Sequence, residues 1–341
     1  MKRRRFLQTA AAVGTIPICG APLGDSGQVL KTPALSTDEQ DAIATALGKK
    51  GTYNEAQATY SVPLPRNDLT VTVKGDSMPI PFGFGGWVAF KKTLDGKQAV
   101  MMSDTVLLEA EVNPLIDATH AAGLEIGAIH NHFFYEQPRI FYMHLHGMGD
   151  IAKLAQQYAQ AIRNTNLFPA NQPGSAAVPT SAAQSVNNAT GTTPQNTSPT
   201  GRERFDLPAL DEVVKYKGVV NGPTYKYTVG RDDVQITAMG AEMTAAIGLN
   251  SWASFAGKQD NAHVAGDIAM LESEVNEVVK ALRKNKLEVV ALHHHMLGEQ
   301  PRTVFLHYYG RGPATDLARG FRAALDVLGR AANGRAANGK Q

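Results

Sequence analysis

The feature that most constrains the fold of this chain is an internal repeat. Shifting residues 104–147 by 163 positions superimposes them on residues 267–310 without a gap, and 18 of the 44 paired positions are identical. Most of the identities are polar residues, whereas their apolar neighbours vary among Ile, Leu, Val and Met. A repeat retained only for packing would keep its apolar character and let its polar residues drift. We therefore interpret the chain as two tandem copies of one site-bearing domain.

Composition limits the class of protein. The chain has 341 residues, enough for two domains that each bury a core. A hydrophobic content of 43% with 19% charged residues is typical of a globular protein. The formal net charge is only +2, and no basic patch interleaved with aromatic residues is present, which argues against nucleic acid as a partner.

The first 21 residues read as an export signal. A basic start at residues 2–5 precedes a short apolar segment at residues 9–18, which is too short to span a bilayer permanently. The pattern Arg3-Arg4-x-Phe-Leu also resembles the twin-arginine signal; an ordinary secretory signal is the alternative. We expect a periplasmic or extracellular protein with no transmembrane helix in the mature chain. Lipoprotein anchoring at Cys19, the only cysteine, is an alternative that the sequence before it does not favour, because the small residues of such a cleavage site are missing.

The rest of the chain divides by composition. Residues 167–204 are rich in Pro, Ser, Thr, Asn, Gln, Ala and Gly, a mixture that cannot bury a core and predicts a flexible linker. Repeat domain 1 is therefore predicted at residues 36–166 and repeat domain 2 at residues 205–330. A disordered tail is predicted at residues 331–341. Because each copy carries the same patterns, we expect the two to form an internal pseudo-dimer.

The patterns within each copy predict an α+β fold. Residues 69–73 and 234–238 alternate with a period of two, as strands do. The stripe formed by Val275, Val278 and Leu282 predicts a helix. We expect two tandem copies of a domain in which two or three helices pack on a largely antiparallel sheet.

Two further features are matched between the copies. Trp87 and Trp252 are the only tryptophans, and we interpret them as core anchors in preference to ligand-stacking residues. Residues 124–132 are predicted to form a buried strand that ends in histidines, and residues 140–146 to form the strand that returns beside it. A turn fixed by proline connects them.

The histidines of this predicted hairpin suggest a metal site in each copy. Residues i and i+2 of a strand point to the same face, and a third histidine follows on the returning strand. Three neutral imidazole nitrogens with an open fourth position are typical of catalytic zinc or a similar divalent ion. A metal-free polar network and simple packing are the alternatives. The predicted metal ligands are His130, His132 and His144 in the first copy, and His293, His295 and His307 in the second.

The turns contribute candidate catalytic residues. Glu136 and Glu299 are predicted as a fourth ligand or as a general base acting on metal-bound water. Arg139 and Arg302 are predicted to hold an anionic group of a substrate, because guanidinium matches carboxylate bidentately.

Several other residues receive lesser roles. His146 and His294 have no histidine partner in the other copy, so we interpret them as auxiliary. His120 and His263 are predicted to be surface residues. Four acids also repeat, namely Asp104, Asp267, Glu109 and Glu272, and the acid that precedes the predicted helix in each copy is interpreted as a cap in preference to a catalytic residue.

At these motifs the sequence resembles the LppY/LpqO family of exported bacterial proteins. The matching residues are Leu-Glu-x-Glu-Val-Asn at 108–113 and 271–276, and the segment 291–302 with its three histidines and Glu-Gln-Pro-Arg. The family typically has His-Asn-His where His294 stands here. The resemblance implies export and no established activity. The His-x-His pattern with a later His is also similar to the zinc triad of acetolactate decarboxylase and plant and prokaryote conserved (PPC) domains, although their Gly-Gly is absent.

Two functions remain open at this point. One is a metal-dependent lyase or hydrolase that acts on a small anionic or carbonyl-bearing molecule. The other is a non-catalytic module that binds a metal, a small ligand or a cell-envelope component. A third reading is that one copy has lost its site and serves as a structural partner.

Overall fold

The computed structural model describes residues 31–167 and 199–329, which form two repeats of similar architecture. The predicted leader with Cys19, the tail and most of the predicted linker lie outside the described residues, and the domain boundaries stay predictions. Among the described residues, no helix combines the length and the apolar character needed to cross a membrane.

The first repeat alternates helices with antiparallel strands. Its helices are α1 (Thr37–Leu47), α2 (Glu109–Ala121) and α3 (Ile151–Ala161), with short 3-10 helices at Ile80–Phe82 and Ile162–Asn164. Its strands are β1 (Thr52–Asn54), β2 (Thr59–Pro65), β3 (Val71–Val73), β4 (Asp76–Met78), β5 (Gly85–Lys92), β6 (Ala99–Leu108), β7 (Glu125–His130), β8 (Glu136–Gln137) and β9 (Ile140–Gly149).

The second repeat follows the same order. Its helices are α4 (Gly201–Arg204), α5 (Leu207–Val214), α6 (Val275–Lys284) and α7 (Ala314–Leu325), with 3-10 helices at Ala245–Ile247 and Glu272–Glu274. Its strands are β10 (Val219–Asn221), β11 (Thr224–Gly230), β12 (Ile236–Ala238), β13 (Ala241–Met243), β14 (Asn250–Lys258), β15 (Asn261–Leu271), β16 (Glu288–His293) and β17 (Thr303–Gly312).

Each repeat is built on a six-stranded sheet. The strand orders are β1-β2-β5-β6-β9-β7 and β10-β11-β14-β15-β17-β16, and every pairing is antiparallel. The predicted α+β class and the predicted tandem architecture are confirmed. Local signals are also as expected: Ser36 caps α1, and its hydroxyl accepts a hydrogen bond from the Glu39 amide.

One face of each sheet is covered by the helices of its own repeat. In the first repeat, Tyr158 of α3 packs with Val88 and Met143 of the sheet. In the second, Phe321 of α7 packs with Phe255 in the same way. Burial of these apolar side chains is the main stabilising contribution to each layer.

The other face of each sheet packs against the other repeat. Trp252 is buried together with Phe82 and Phe133 of the first repeat. Trp87 is buried with Met243 and Ile247 of the second. Each tryptophan is therefore a core anchor, and the core it anchors belongs to its partner repeat. This exchange makes the chain an internal pseudo-dimer.

Two expectations from the sequence are wrong. The segment predicted as a buried strand is the edge strand β7, and Ile129 is 44% exposed there, as Leu292 is in β16 at 52%. Short apolar runs do not distinguish an edge strand from a central one. His263, predicted at the surface, is 3% exposed because it lies between the repeats, within hydrogen-bonding distance of Asp76 and Tyr309. His120 is exposed, as predicted.

Candidate metal centre and its cavity

The site begins with a ladder of side chains that crosses each sheet. In the first repeat, Asp104 of β6 lies opposite Trp87 of β5 on one side and His144 of β9 on the other. Directly opposed residues of neighbouring strands project from the same face of a sheet. The second repeat has the same ladder, formed by Trp252, Asp267 and His307. Both ladders lie on the face that meets the other repeat.

The hairpin of β7 and β9 adds two more histidines. The two strands pair antiparallel, as the sequence predicted, and His130 lies opposite Tyr142. His132 follows just after the strand end and stacks on the ring of Tyr142 with a centroid distance of 3.3 Å. In the second repeat, His295 stacks on Phe305 at 3.4 Å.

The six histidines form one buried cluster instead of a separate triad in each repeat. They meet in pairs that each join the two repeats, and the rings of His130 and His293 stack with their centroids 3.7 Å apart. The pair His132 and His307 is also 3.7 Å apart, and the pair His144 and His295 is 4.2 Å apart. Every member is at most 8% exposed. The two sheets face each other across this cluster, so each copy contributes side chains to it. The pattern within one repeat could not show this.

Hydrogen bonds to the backbone define the tautomer of three rings. The Nδ1 atoms of His144, His295 and His307 lie 3.0–3.1 Å from the carbonyl oxygens of Ser103, Gly248 and Gly266. A carbonyl oxygen only accepts hydrogen bonds, so each Nδ1 donates. The Nε2 atom of each of these rings therefore carries a lone pair and no proton. Such outer hydrogen bonds orient histidine ligands in metal sites.

Nε2 of His144, which carries no proton, lies 2.9 Å from Nε2 of His130. Two lone pairs at this distance would repel each other. In the absence of a metal, Nε2 of His130 therefore carries a proton and donates a hydrogen bond to Nε2 of His144. Nδ1 of His130 is buried and has no hydrogen-bond partner in the described part of the chain. Moving the ring proton from Nε2 to Nδ1 would free both inward nitrogens for a cation.

Other nitrogens of the cluster also lack partners. Both ring nitrogens of His293 and Nε2 of His307 are buried without a hydrogen bond among residues 31–167 and 199–329. Burial lowers the pKa of every ring in the cluster, to about 4 for His307 and about 3 for His295, so the imidazoles are neutral at neutral pH. Unpaired buried nitrogens are costly, and a metal ion would satisfy them. The residues therefore fit a metal.

Three sets of side chains could each hold an ion, because their ligand atoms lie within 4.8 Å of one another. The first set is His130, His132 and His307; the second is Asp267, His293 and His295; the third is His130, His144 and His293. The first two sets share no residue, so two ions could be held at once. The first and third sets each mix ligands from both repeats.

Two aspartates to which the sequence analysis gave no catalytic role belong to this site. Asp104 and Asp267 lie within strands β6 and β15, several residues before the helical segments that follow. Oδ2 of Asp267 is 3.2 Å from Nε2 of His295. Burial raises the pKa of Asp267, and burial together with the nearby charge of Asp267 raises the pKa of Asp104 to about 8. Their identity in both copies was the signal that could have marked them.

A cavity adjoins the cluster between the two tryptophans. Both aspartates line it, together with His132, His295, His307, Trp87, Trp252, Asn250 and Lys226. Asp104 and Lys226 are half-buried, so solvent reaches this space. The centre of a water molecule can occupy about 50 Å³ of it, where one water requires about 10–15 Å³. The space therefore suits a small molecule.

The candidate catalytic residues of the turns do not line this cavity. Oε1 of Glu299 accepts hydrogen bonds from the backbone amide and the hydroxyl of Thr303, and Oε1 of Glu136 accepts one from the Ile140 amide. Arg139 and Arg302 lie 3.6 Å from these carboxylates and are partly exposed. The Glu-Gln-Pro-Arg motif thus closes its own turn, and its catalytic role stays a prediction.

The auxiliary histidines also lie apart from the ligand sets. Nδ1 of His294 donates to the Thr303 carbonyl, at 2.7 Å, and steadies the same turn. His146 is buried, and its Nδ1 lies 3.4 Å from the exposed carboxylate of Glu125. Neither residue is in a set that could hold a metal.

Comparison with known families agrees with the repeat. The architecture is that of a tandem protein with one domain in two copies, and a family model matches each copy, at residues 41–164 and 208–327. The chain belongs to this family, which is described as Domain of Unknown Function (DUF1259). No curated protein and no solved structure matches the chain. The resemblances to LppY/LpqO proteins and to the zinc triad of acetolactate decarboxylase stay predictions.

Proposed function

We propose that this protein is a metal-dependent enzyme whose single centre is shared by the two repeats. The metal is a divalent ion of the kind that imidazole favours, with zinc the first candidate. The reaction class that we favour is a lyase or hydrolase reaction on a small molecule bearing an anionic or carbonyl group. The cavity beside the histidines would receive that molecule.

One observation carries the proposal. Three buried histidines donate Nδ1–H to backbone carbonyls, so their Nε2 atoms carry lone pairs, and that of His307 has no partner among the described residues beside a cavity that solvent reaches. A purely structural polar network would be expected to pair its buried nitrogens, and several here have no partner among the described residues. Oriented, neutral and unpaired imidazoles are what a metal centre requires.

The aspartates support a catalytic role for this centre. A divalent ion would polarise a substrate oxygen, which stabilises negative charge that develops there. Asp104 lines the cavity without belonging to any of the three ligand sets. Without a bound ion, burial and the charge of Asp267 raise the pKa of Asp104 to about 8, so this buried carboxyl can hold a proton near neutral pH and exchange it with a ligand. This assigns proton transfer to Asp104 in preference to Glu136 or Glu299.

Elemental analysis of the mature protein, purified without a histidine tag, tests the proposal. We expect one or two equivalents of a divalent metal, and loss of that metal when His130, His132, His293 and His295 are replaced by Ala. A folded protein that takes up no metal after reconstitution would overturn the proposal and leave the histidines as a polar network. A second variant, Asp104→Asn, separates an enzyme from a binding module. An enzyme would keep its metal and lose turnover, whereas a module with no turnover on any substrate would bind its ligand unchanged.

A further inference from the structure

The cavity breaks the pseudo-twofold symmetry of the site at one charged residue. Tryptophan, aspartate and histidine occur in both ladders, but Lys226 has no counterpart. Lys226 of β11 lies opposite Ser254 of β14. At the equivalent position of the first repeat, Ser61 of β2 lies opposite Ala89 of β5. A symmetric pair of ladders would hold a ligand equally well in two orientations. A single cation on one side selects one of them.

The amine of Lys226 is placed to meet a ligand. Its Nζ lies 4.3 Å from the centroid of the Trp252 ring, and no carboxylate of the described residues lies within 4.0 Å of it. Burial lowers the pKa of Lys226 to about 8 against the opposing effect of Asp104 and Asp267, so the amine is charged at pH 7, and the aromatic face adds a favourable contact for that charge. The N–H donors of this amine are therefore available to a ligand in the cavity that Lys226 lines.

A second unpaired group lines the same cavity. Asn250 is 4% exposed, and its amide nitrogen donates to the Ala245 carbonyl at 2.8 Å, which fixes the orientation of the amide. Its Oδ1 is buried and has no hydrogen-bond partner among the described residues. An amide oxygen only accepts hydrogen bonds, so it can serve a hydroxyl group of a ligand.

The charge of the loaded centre indicates the sign of the ligand. Even if Asp104 and Asp267 are both ionised, one divalent ion together with Lys226 leaves this part of the molecule with a net positive charge. An anion would be attracted to it, and the small volume restricts that anion to a few heavy atoms.

We propose that the cavity binds a small hydroxyl-bearing carboxylate, with Lys226 holding the carboxylate and determining its orientation. Trp87 and Trp252 enclose the ligand on its apolar sides, and Asn250 accepts the hydrogen bond of its hydroxyl group. The inference rests on the proposed metal centre, because the metal supplies part of the positive charge.

Tryptophan fluorescence offers a direct test, because both tryptophans of the chain line the cavity. Metal-loaded protein is titrated with glycolate, with acetate, which lacks the hydroxyl, and with glycolamide, which lacks the charge. We expect saturable quenching by glycolate and binding that is weaker by roughly tenfold or more for glycolamide, the usual effect of losing a charge-assisted hydrogen bond. Acetate should bind more weakly than glycolate by a smaller factor.

Substitutions of Lys226 give the decisive comparison. Lys226→Met should weaken glycolate to the level of glycolamide, and Lys226→Arg should retain the preference for the charged ligand. Lys74→Met is the matched control, because Lys74 also lies over an aromatic ring, that of Tyr135 at 4.4 Å, but outside this cavity. Equal binding of glycolate and glycolamide, wild-type binding by Lys226→Met, or no quenching by glycolate would overturn the inference.

The metal content of each sample, measured after the titration, separates the two proposals. Metal-loaded protein without a preference for glycolate refutes the ligand assignment alone. Protein that never holds a metal refutes the proposed function.

Discussion

The imidazole rings of His130 and His293 stack with their centroids 3.7 Å apart, although 163 residues separate them in the chain. They are equivalent residues of the two repeats, so the contact lies where the repeats meet. Two neutral rings tolerate this proximity, whereas two imidazolium ions would repel each other. The histidine cluster and the interface between the repeats are therefore one structure, and changes to one should affect the other.

Changing Asp267 should affect the metal, and changing Asp104 should not. Asp267 belongs to a ligand set, and its Oδ2 lies 3.2 Å from His295, whereas Asp104 belongs to none of the three sets. We expect Asp267→Asn to weaken metal affinity by roughly tenfold or more, the usual effect of altering a ligand or its support. Asp104→Asn serves as the matched variant, with unchanged metal content by elemental analysis. Equal metal loss in both variants would contradict this assignment.

A methyl group at Gly248 should disturb both the interface and the cavity. A Cβ there would lie 2.9 Å from the Trp87 ring, and the φ of +99° is unfavourable for other residues. We expect Gly248→Ala to lower the free energy of unfolding by about 1–3 kcal/mol and to shift tryptophan fluorescence. Gly75→Ala is the control for backbone strain alone, because its φ is +84° with nothing within 4 Å of the added Cβ. If the two variants lost the same stability with identical spectra, the Trp87 contact would have no role.

Protein stripped of metal should lose stability as the pH falls below about 6.5. Burial holds the pKa of His295 at about 3 and that of His307 at about 4, while the unfolded chain takes up protons near the ordinary value of 6.5. In this range the unfolded state binds more protons, so stability rises with pH and is lost as pH falls. Urea unfolding at a series of pH values between about 4 and 7 measures the slope.

In the same experiment, the raised pKa values of the aspartates change the stability with pH in the opposite direction. The pKa of Asp104 is raised to about 8, so the folded state holds a proton that the unfolded state loses near pH 4, and this contribution is lost as pH rises toward 8. The six cluster histidines outnumber the two aspartates, so we expect stability to fall on the acid side and to peak near neutrality. Asp104→Asn should flatten the decline between about pH 6.5 and 8. A stability that increases on acidification would contradict neutral buried histidines.

The sequence predicted the sheets, the helices and the histidine hairpin, because these depend on local periodicity. The pairing of β7 with β9 follows from two strands joined by a short turn, and residues two apart share a face. The contact of His132 with His307 could not be predicted, because it depends on how two complete sheets pack. Alternation within one repeat contains no information about that packing.

Repeated polar residues were also a less specific signal than they seemed. Glu111 and Glu274 are identical in the two copies, but they pair with the buried Arg66 and Arg231 and belong to none of the three ligand sets. Buried ion pairs constrain residue identity as strongly as a site does, because removal of one partner leaves an unpaired charge. Asp104 and Asp267 have the same repeat signature, and only the structure distinguishes them as site residues, through the cavity that both line and the ligand set that includes Asp267.

The most direct test of the shared centre compares metal content in His132→Ala, His307→Ala and the double variant, with the exposed His120→Ala as the control. His132 and His307 belong to different repeats but to the same ligand set. We predict that each single variant loses the same ion and that the double variant loses no more than either single variant. If the losses were additive, with one ion lost for each repeat, each copy would hold its own triad and the shared centre would be refuted.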